Sequence, residues 1–182
     1  MTIAQHLSKS NEWYTPEYIA DPARELMGGI DLDPASCLVA NETIKAKTIY
    51  DVSDDGLTKP WFGKVFSNPP GGIRDGESSM RLWWEKMATD YERENIGQGF
   101  FVAFTLELLR TSQQGHPIQR YFRCYPSSRI RFVGAGQSPT HANVLVWLPP
   151  KQVAEDQNGR SDLQRFRDIF GHIGYCEAGS NS

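Results

Sequence analysis

Residues 65–72 read Val65-Phe66-Ser67-Asn68-Pro69-Pro70-Gly71-Gly72. Val-Phe-Ser suits a short buried strand, and the prolines that follow cannot donate to a ladder, so the strand ends at Asn68. Upstream, Ile30-Asp31-Leu32-Asp33 runs into Pro34 in the same manner. Two strands are therefore expected to stop at a polar side chain followed by proline. Ahead of the first, Thr15 and Pro16 offer a hydroxyl cap and a first-turn proline for a helix. Tyr18, Ile19, Ala23, Leu26 and Met27 recur at helical spacing, with Pro22 expected to kink or divide the segment and Gly28-Gly29 to stop it. Ala46–Tyr50 reads as a further strand and Asp54-Asp55-Gly56 as a polar turn. Beyond Asn68, Gly71–Ser79 reads as a flexible polar loop and Met80–Arg93 as a helix with Leu82, Trp83, Met87 and Tyr91 on its apolar face. Gly99–Thr105 is the strongest strand, Leu106–Thr111 a brief helix, and Ile130–Val133 and Asn143–Leu148 late strands. Ser161 and Gln164 form a capping box for a last helix bearing Leu163, Phe166, Ile169 and Phe170. Strands alternating with helices predict an α/β domain, a single mostly parallel sheet with helices on both faces. Ligands of such sheets sit beyond the carboxyl ends of the strands, where Asp33-Pro34 and Asn68-Pro69-Pro70 fall.

The 182 residues, 39% hydrophobic and 23% charged, suffice for one domain with one core. A polar lead over 1–10, a domain over 11–177 and a flexible tail over 178–182 are expected. No run approaches the roughly 20 apolar residues of a membrane span, and the first residues lack the apolar core of a signal peptide. Cys37, Cys124 and Cys176 form no CxxC pair and, with four histidines, no recognisable metal cage or disulfide framework. A soluble, cytoplasmic protein without metal or membrane partner is the expectation. The net charge is -3, yet no Asp or Glu occurs from Leu108 to Ala154, where Arg110, Arg120, Arg123, Arg129, Arg131 and Lys151 lie. Such a local basic face can contact phosphates on a mildly acidic chain, although a solvated arginine surface has the same composition.

Asn68-Pro69-Pro70 carries the most specific chemistry. An exocyclic amine on a purine ring is a poor nucleophile because its lone pair is delocalised. The amide oxygen of Asn68 and the backbone carbonyl of Pro69 can accept its two N–H bonds, localising and aiming that lone pair. The prolines hold that carbonyl stiffly. Alone, the tripeptide also reads as a turn that ends a strand.

Several segments occur in one order: Asn11-Glu12-Trp13-Tyr14-Thr15-Pro16, then Gly29–Ser36, Asp54-Asp55-Gly56-Leu57 with Pro60-Trp61, and Asn68-Pro69-Pro70. Glu107–Arg110, Arg129–Phe132 and Ser138–Asn143 follow. Together they resemble the phage-type DNA N6-adenine methyltransferases (the Dam family), over about residues 11–172. The resemblance implies a Rossmann-like methyltransferase sheet, S-adenosylmethionine as methyl donor, DNA as partner and a phage or prophage gene acting inside a bacterial host cell. It assigns catalysis to Asn68, Pro69 and Pro70. It assigns the donor site to Trp13, Tyr14, Thr15, Pro16, Asp33, Pro34, Ala35, Ser36 and Asp55. Asp33 would face the donor's ammonium or ribose and Asp55 its adenine amine, while Trp13 and Tyr14 either stack on that adenine or line the core. Gly71, Arg110, Arg129 and Arg131 are the candidates for DNA contact.

Gly71 departs from the family, whose motif places an aromatic residue there to stack on the extruded base. Trp83, Trp84 and Phe62 are the candidates to replace it. Only Gly71–Ser79, Thr111–Ser128 and Gly134–His141 are left to read sequence, so a short or degenerate DNA site is expected. The competing readings are another amine acceptor (cytosine N4, an RNA base or protein glutamine) and a DNA-binding relative without turnover.

Overall fold

The computed structural model describes residues 13–103, 108, 112, 115–134, 142–152, 156 and 158–180. Chain order is α1 (Glu17–Met27), β1 (Leu32–Asp33), α2 (Leu38–Ile44), β2 (Thr48–Ile49), β3 (Gly63–Ser67), β4 (Ile73–Arg74), β5 (Glu77–Ser78), α3 (Ser79–Glu92), β6 (Ile96–Ala103), a 3₁₀ turn (Ile118–Arg120), β7 (Phe122–Pro126), β8 (Val144–Leu148), α4 (Asp162–Phe170) and β9 (Gly174–Glu177). A seven-stranded sheet runs β2-β1-β3-β6-β8-β7-β9. The first four strands are parallel neighbours, and β8 enters antiparallel between β6 and β7, with β9 antiparallel on β7. The sheet is thus mixed, where a mostly parallel one was expected. Of the three antiparallel pairings, β6 with β8 joins two strands read in the sequence, and the other two come with β7 and β9, both unread there.

Two-residue alternation on the central strands sends side chains to two cores. Phe66, Phe100, Val102, Leu145 and Trp147 meet α1 and α4 through Ile19, Ala23, Leu26, Phe166 and Phe170. Val65, Phe101, Ala103, Val144, Val146 and Leu148 meet α3 through Met80, Trp83, Trp84 and Met87. Helices therefore cover both faces. Ser161 caps α4 by accepting the Gln164 N–H at 3.3 Å, and Gly28 ends α1 in the left-handed region at φ 66°.

Other local expectations fail for identifiable reasons. Pro16, not Thr15, is the N-cap of α1, and no side chain bonds there. The helix also runs unbroken through Pro22. The carbonyl that loses its N–H partner, four residues back, belongs to exposed Tyr18, on the solvent side of the helix. Ile130–Val133 forms no strand: the Ile130 N–H donates to Asn143 Oδ1, and only Val133 pairs, in a lone bridge with Tyr14. Gly71–Ser79 is not a plain loop but holds the β4–β5 hairpin, turned by Asp75 and Gly76 at φ 52° and 81°. Asp-Gly between paired residues is a strong hairpin signal that a reading of polarity alone misses.

Phe122–Pro126, inside the stretch left open for reading DNA, is a strand of the sheet. Its Arg123 is buried and paired with Glu177 at 2.8 Å, while Arg120 and Lys151 pair with Glu92 and Glu94. These three members of the basic block are therefore neutralised by acids from outside it. Cys124 and Cys176 face each other across β7 and β9 as free thiols. Residues 178–180, assigned to the tail, lie against the 3₁₀ turn, with the Ser180 N–H donating to the Gln119 carbonyl at 2.8 Å. The polar lead, nearly all of Leu106–Thr111 and His141 with the residues before it back to 135 lie outside the described residues. Among the described residues, no helix is long and apolar enough to cross a membrane, and no group of His, Cys, Asp or Glu is arranged to hold a metal ion.

Candidate active site

From β1 the chain moves outward to β2, then returns across β1 to form β3 on its other side. The order reverses between β1 and β3, and such a reversal opens a crevice beyond the strand ends. Leu32 is level with Val65 in that pair, so Asp33 and Asn68 emerge at the same rim. There lies a cavity of about 980 Å³. Trp13, Tyr14, Thr15, Asp33, Pro34, Ala35, Ser36, Asp55, Asn68, Pro69, Pro70 and Gly71 all line it. Segments far apart in sequence converge here because two parallel strands end side by side.

Asn68 is held in one orientation. Its Nδ2 donates to the Trp13 carbonyl at 2.8 Å. Turning the amide over would set two oxygens against each other at that distance, so the acceptor is the end left over. That Oδ1 is buried and accepts no hydrogen bond among the described residues. Native structures rarely leave a buried acceptor empty, and doing so costs about 1–3 kcal/mol. The Thr15 hydroxyl, also on the cavity wall, and the Ser67 hydroxyl just before Asn68 are likewise buried and unpaired among the described residues. Trp13 has a double placement: its ring stacks on Phe132 at 6.0 Å and also borders the cavity. The Tyr14–Val133 bridge, with N–H···O distances of 3.0 and 2.9 Å, fixes this wall.

Asp33 is 3% exposed and its carboxyl is pushed up to about 7, because burial penalises the anion. The Ala35 N–H at 3.1 Å and the Ser36 hydroxyl oppose that shift without cancelling it. Asp55 differs. Its carboxylate accepts a bidentate pair from Arg74 at 2.7 and 2.6 Å, which holds it below the usual carboxylate range. No protein-family model and no curated protein matches the chain. The chemistry of the site rests on these residues.

Not every expected residue arrives. Pro16 is buried behind the wall and does not line the cavity. Arg129 and Arg131 are exposed on the segment leading to Val133, away from the cavity lining, and Arg110 lies outside the described residues. Of the aromatic substitutes for position 71, Trp84 is fully buried in the core and Phe62 does not reach the cavity. Trp83 does line it, 5% exposed and packed on Trp61 at 5.8 Å. Sequence reading missed Arg74, whose signal was the Asp75-Gly76 turn that folds β4 back over the mouth.

Gly56 sets the floor. A Cβ there would run into the Pro34 carbonyl and the Trp83 ring. Gly56→Ala is therefore expected to destabilise the protein by about 1–3 kcal/mol, as overpacking does. Thermal unfolding measures the loss, and an unchanged midpoint would show that the floor can yield.

Proposed function

We propose that the chain is an S-adenosylmethionine-dependent amino-methyltransferase whose acceptor is adenine N6 in DNA at a short or degenerate site. A Rossmann-like methyltransferase arrangement is the finer reading of its mixed α/β sheet. The observation that carries the proposal is Asn68 Oδ1, unpaired among the described residues, on a side chain that lines the β1–β3 crevice. An acceptor atom kept empty at a cost in stability fits a ligand that brings an N–H to it.

The residues present fit the donor. The cavity is at the top of the range of about 300–1,000 Å³ typical of small-molecule sites, room for a nucleoside and a second base. Asp33 is an acceptor whose burial the Ala35 N–H and the Ser36 hydroxyl compensate only in part, and Thr15 offers a hydroxyl unpaired among the described residues. When bound, S-adenosylmethionine supplies a carbon already activated for transfer by its positive sulfur. Asn68 Oδ1 takes one amine proton in a hydrogen bond and the Pro69 carbonyl the other, aiming the lone pair. Pro34 and Trp83 exclude water from the floor.

A second reading has one observation in its favour. Gly71 offers no ring to a base, and Trp83 is too enclosed to stack fully. An acceptor that needs no stacking, such as a protein glutamine amide, suits that wall. Tritium-labelled methyl incorporation into unmethylated DNA, followed by nucleoside identification, separates the two. N6-methyladenine is expected. Label appearing only in protein would establish the second reading.

A further inference from the structure

The hairpin that follows Asn68-Pro69-Pro70 pairs only with itself, β4 on β5, outside the main sheet. It is closed at its base by the Ser79 N–H donating to the Gly72 carbonyl at 2.9 Å. Arg74 projects from it to the mouth of the cavity and is the one cation among the described lining residues, against Asp33, Asp51 and Asp55. Its guanidinium grips Asp55, on the loop that leaves β2, with Asp75 at 3.7 Å beside it. The grip therefore runs between the hairpin beside Asn68 and the loop on the Asp33 side. It is also easily exchanged: Arg74 and Asp55 are 39% and 35% exposed, and ion pairs so placed contribute little net stability. A guanidinium fork fits a phosphate as well as it fits a carboxylate.

We infer that Arg74 is a specificity residue for a phosphodiester next to the acceptor base, parked on Asp55 until a nucleic-acid strand displaces that carboxylate. The inference rests on the amino-methyltransferase reading and narrows its acceptor to a nucleotide within a strand. Exchange would also release Asp55 to accept a donor-side N–H. Arg74 acts by positioning the strand and touches no reacting atom.

The test is binding of a labelled single-stranded oligonucleotide containing one adenine, without methyl donor, across a salt series. Single-stranded probe removes the cost of base extrusion. Arg74→Ala is expected to weaken binding about tenfold and to lower the slope of log affinity against log salt by about 1. Arg74→Lys should keep the slope and lose part of the affinity. Asp55→Asn should tighten binding, because it frees the fork. A neutral methylphosphonate beside the adenine should weaken wild type and leave Arg74→Ala unchanged. A strap that merely holds the hairpin predicts instead that Asp55→Asn and Arg74→Ala weaken binding alike, and that result would overturn the inference. So would Arg74→Ala impairing only donor binding, which would place a donor carboxylate on the fork. Wild-type oligonucleotide binding by Arg74→Ala sinks this inference alone. No binding by any variant, with methyl transfer to protein, sinks the adenine reading with it.

Discussion

Asn68→Ala is expected to lower turnover roughly a thousandfold while leaving donor affinity within a few-fold of wild type. Removing one preorganised hydrogen-bonding group from a reacting centre typically costs about 10²–10³ in rate. Here the lost group also localises the nucleophile's lone pair, which places the effect at the upper end. Stability moves little, because two terms oppose each other. The substitution removes a buried oxygen with no partner among the described residues, which is favourable, and strips the Trp13 carbonyl of its 2.8 Å donor, which is not. Asn68→Asp separates orientation from acceptance. It keeps an acceptor but loses the Nδ2 that anchors it, and sets a carboxylate against the Trp13 carbonyl. Both variants should be nearly inactive, with the aspartate the less stable of the two. Rate measurements at saturating donor, beside calorimetric donor binding, check this. Wild-type turnover by Asn68→Ala would remove Asn68 from the chemistry.

Of the residues that converge on the cavity, those of Asp33-Pro34 and Asn68-Pro69-Pro70 were legible from a local signal, a proline at a strand end, whereas Trp13, Tyr14 and Asp55 came only with the family resemblance. Asp33-Pro34 and Asn68-Pro69-Pro70 announce strand termini without any knowledge of the fold, and parallel pairing of β1 with β3 then brings them together. What escaped depended on partners distant in sequence. Arg123 broke the apolar pattern of β7 because its neutralising Glu177 lies 54 residues away. α2 escaped because Leu38 and Val39 are exposed and only Ile44 of the helix is buried, so it has no helical apolar period. The segment Arg129–Phe132 alternates as a strand should, but no sheet edge receives it. Asp55 reads as a free acceptor only while the Asp75-Gly76 turn goes unread, because the hairpin that this turn makes brings Arg74 back from 19 residues on. Local chemistry thus foretold which atoms gather, and tertiary pairing determines which of them are free.

Asp33 supplies the second large effect, and its sign can be worked out. Its carboxyl stands at about 7 in the folded protein against an ordinary 3.8. Between those values the folded state keeps a proton that the unfolded chain has released. Asp33 therefore lowers stability progressively as pH rises from about 4 to about 7, with no further change above. Asp33→Asn removes the penalty and should raise the unfolding midpoint at pH 8 while leaving it nearly unchanged at pH 4. Donor binding runs the other way. An ammonium or ribose hydroxyl is held by the ionised carboxylate, so wild-type affinity should rise about tenfold per pH unit up to about 7 and level off there. Asp33→Asn should lose about a hundredfold in affinity near pH 7.5, the scale of a charge-assisted hydrogen bond, and its remaining affinity should not depend on pH. A purely structural aspartate, stabilising its turn through Ala35 and Ser36, predicts the opposite pairing: lower stability in the asparagine variant and a pH-independent donor affinity in wild type. Calorimetry across pH 5–7.5 decides between them, because stability and affinity move in opposite directions only if the buried carboxylate is kept for a ligand.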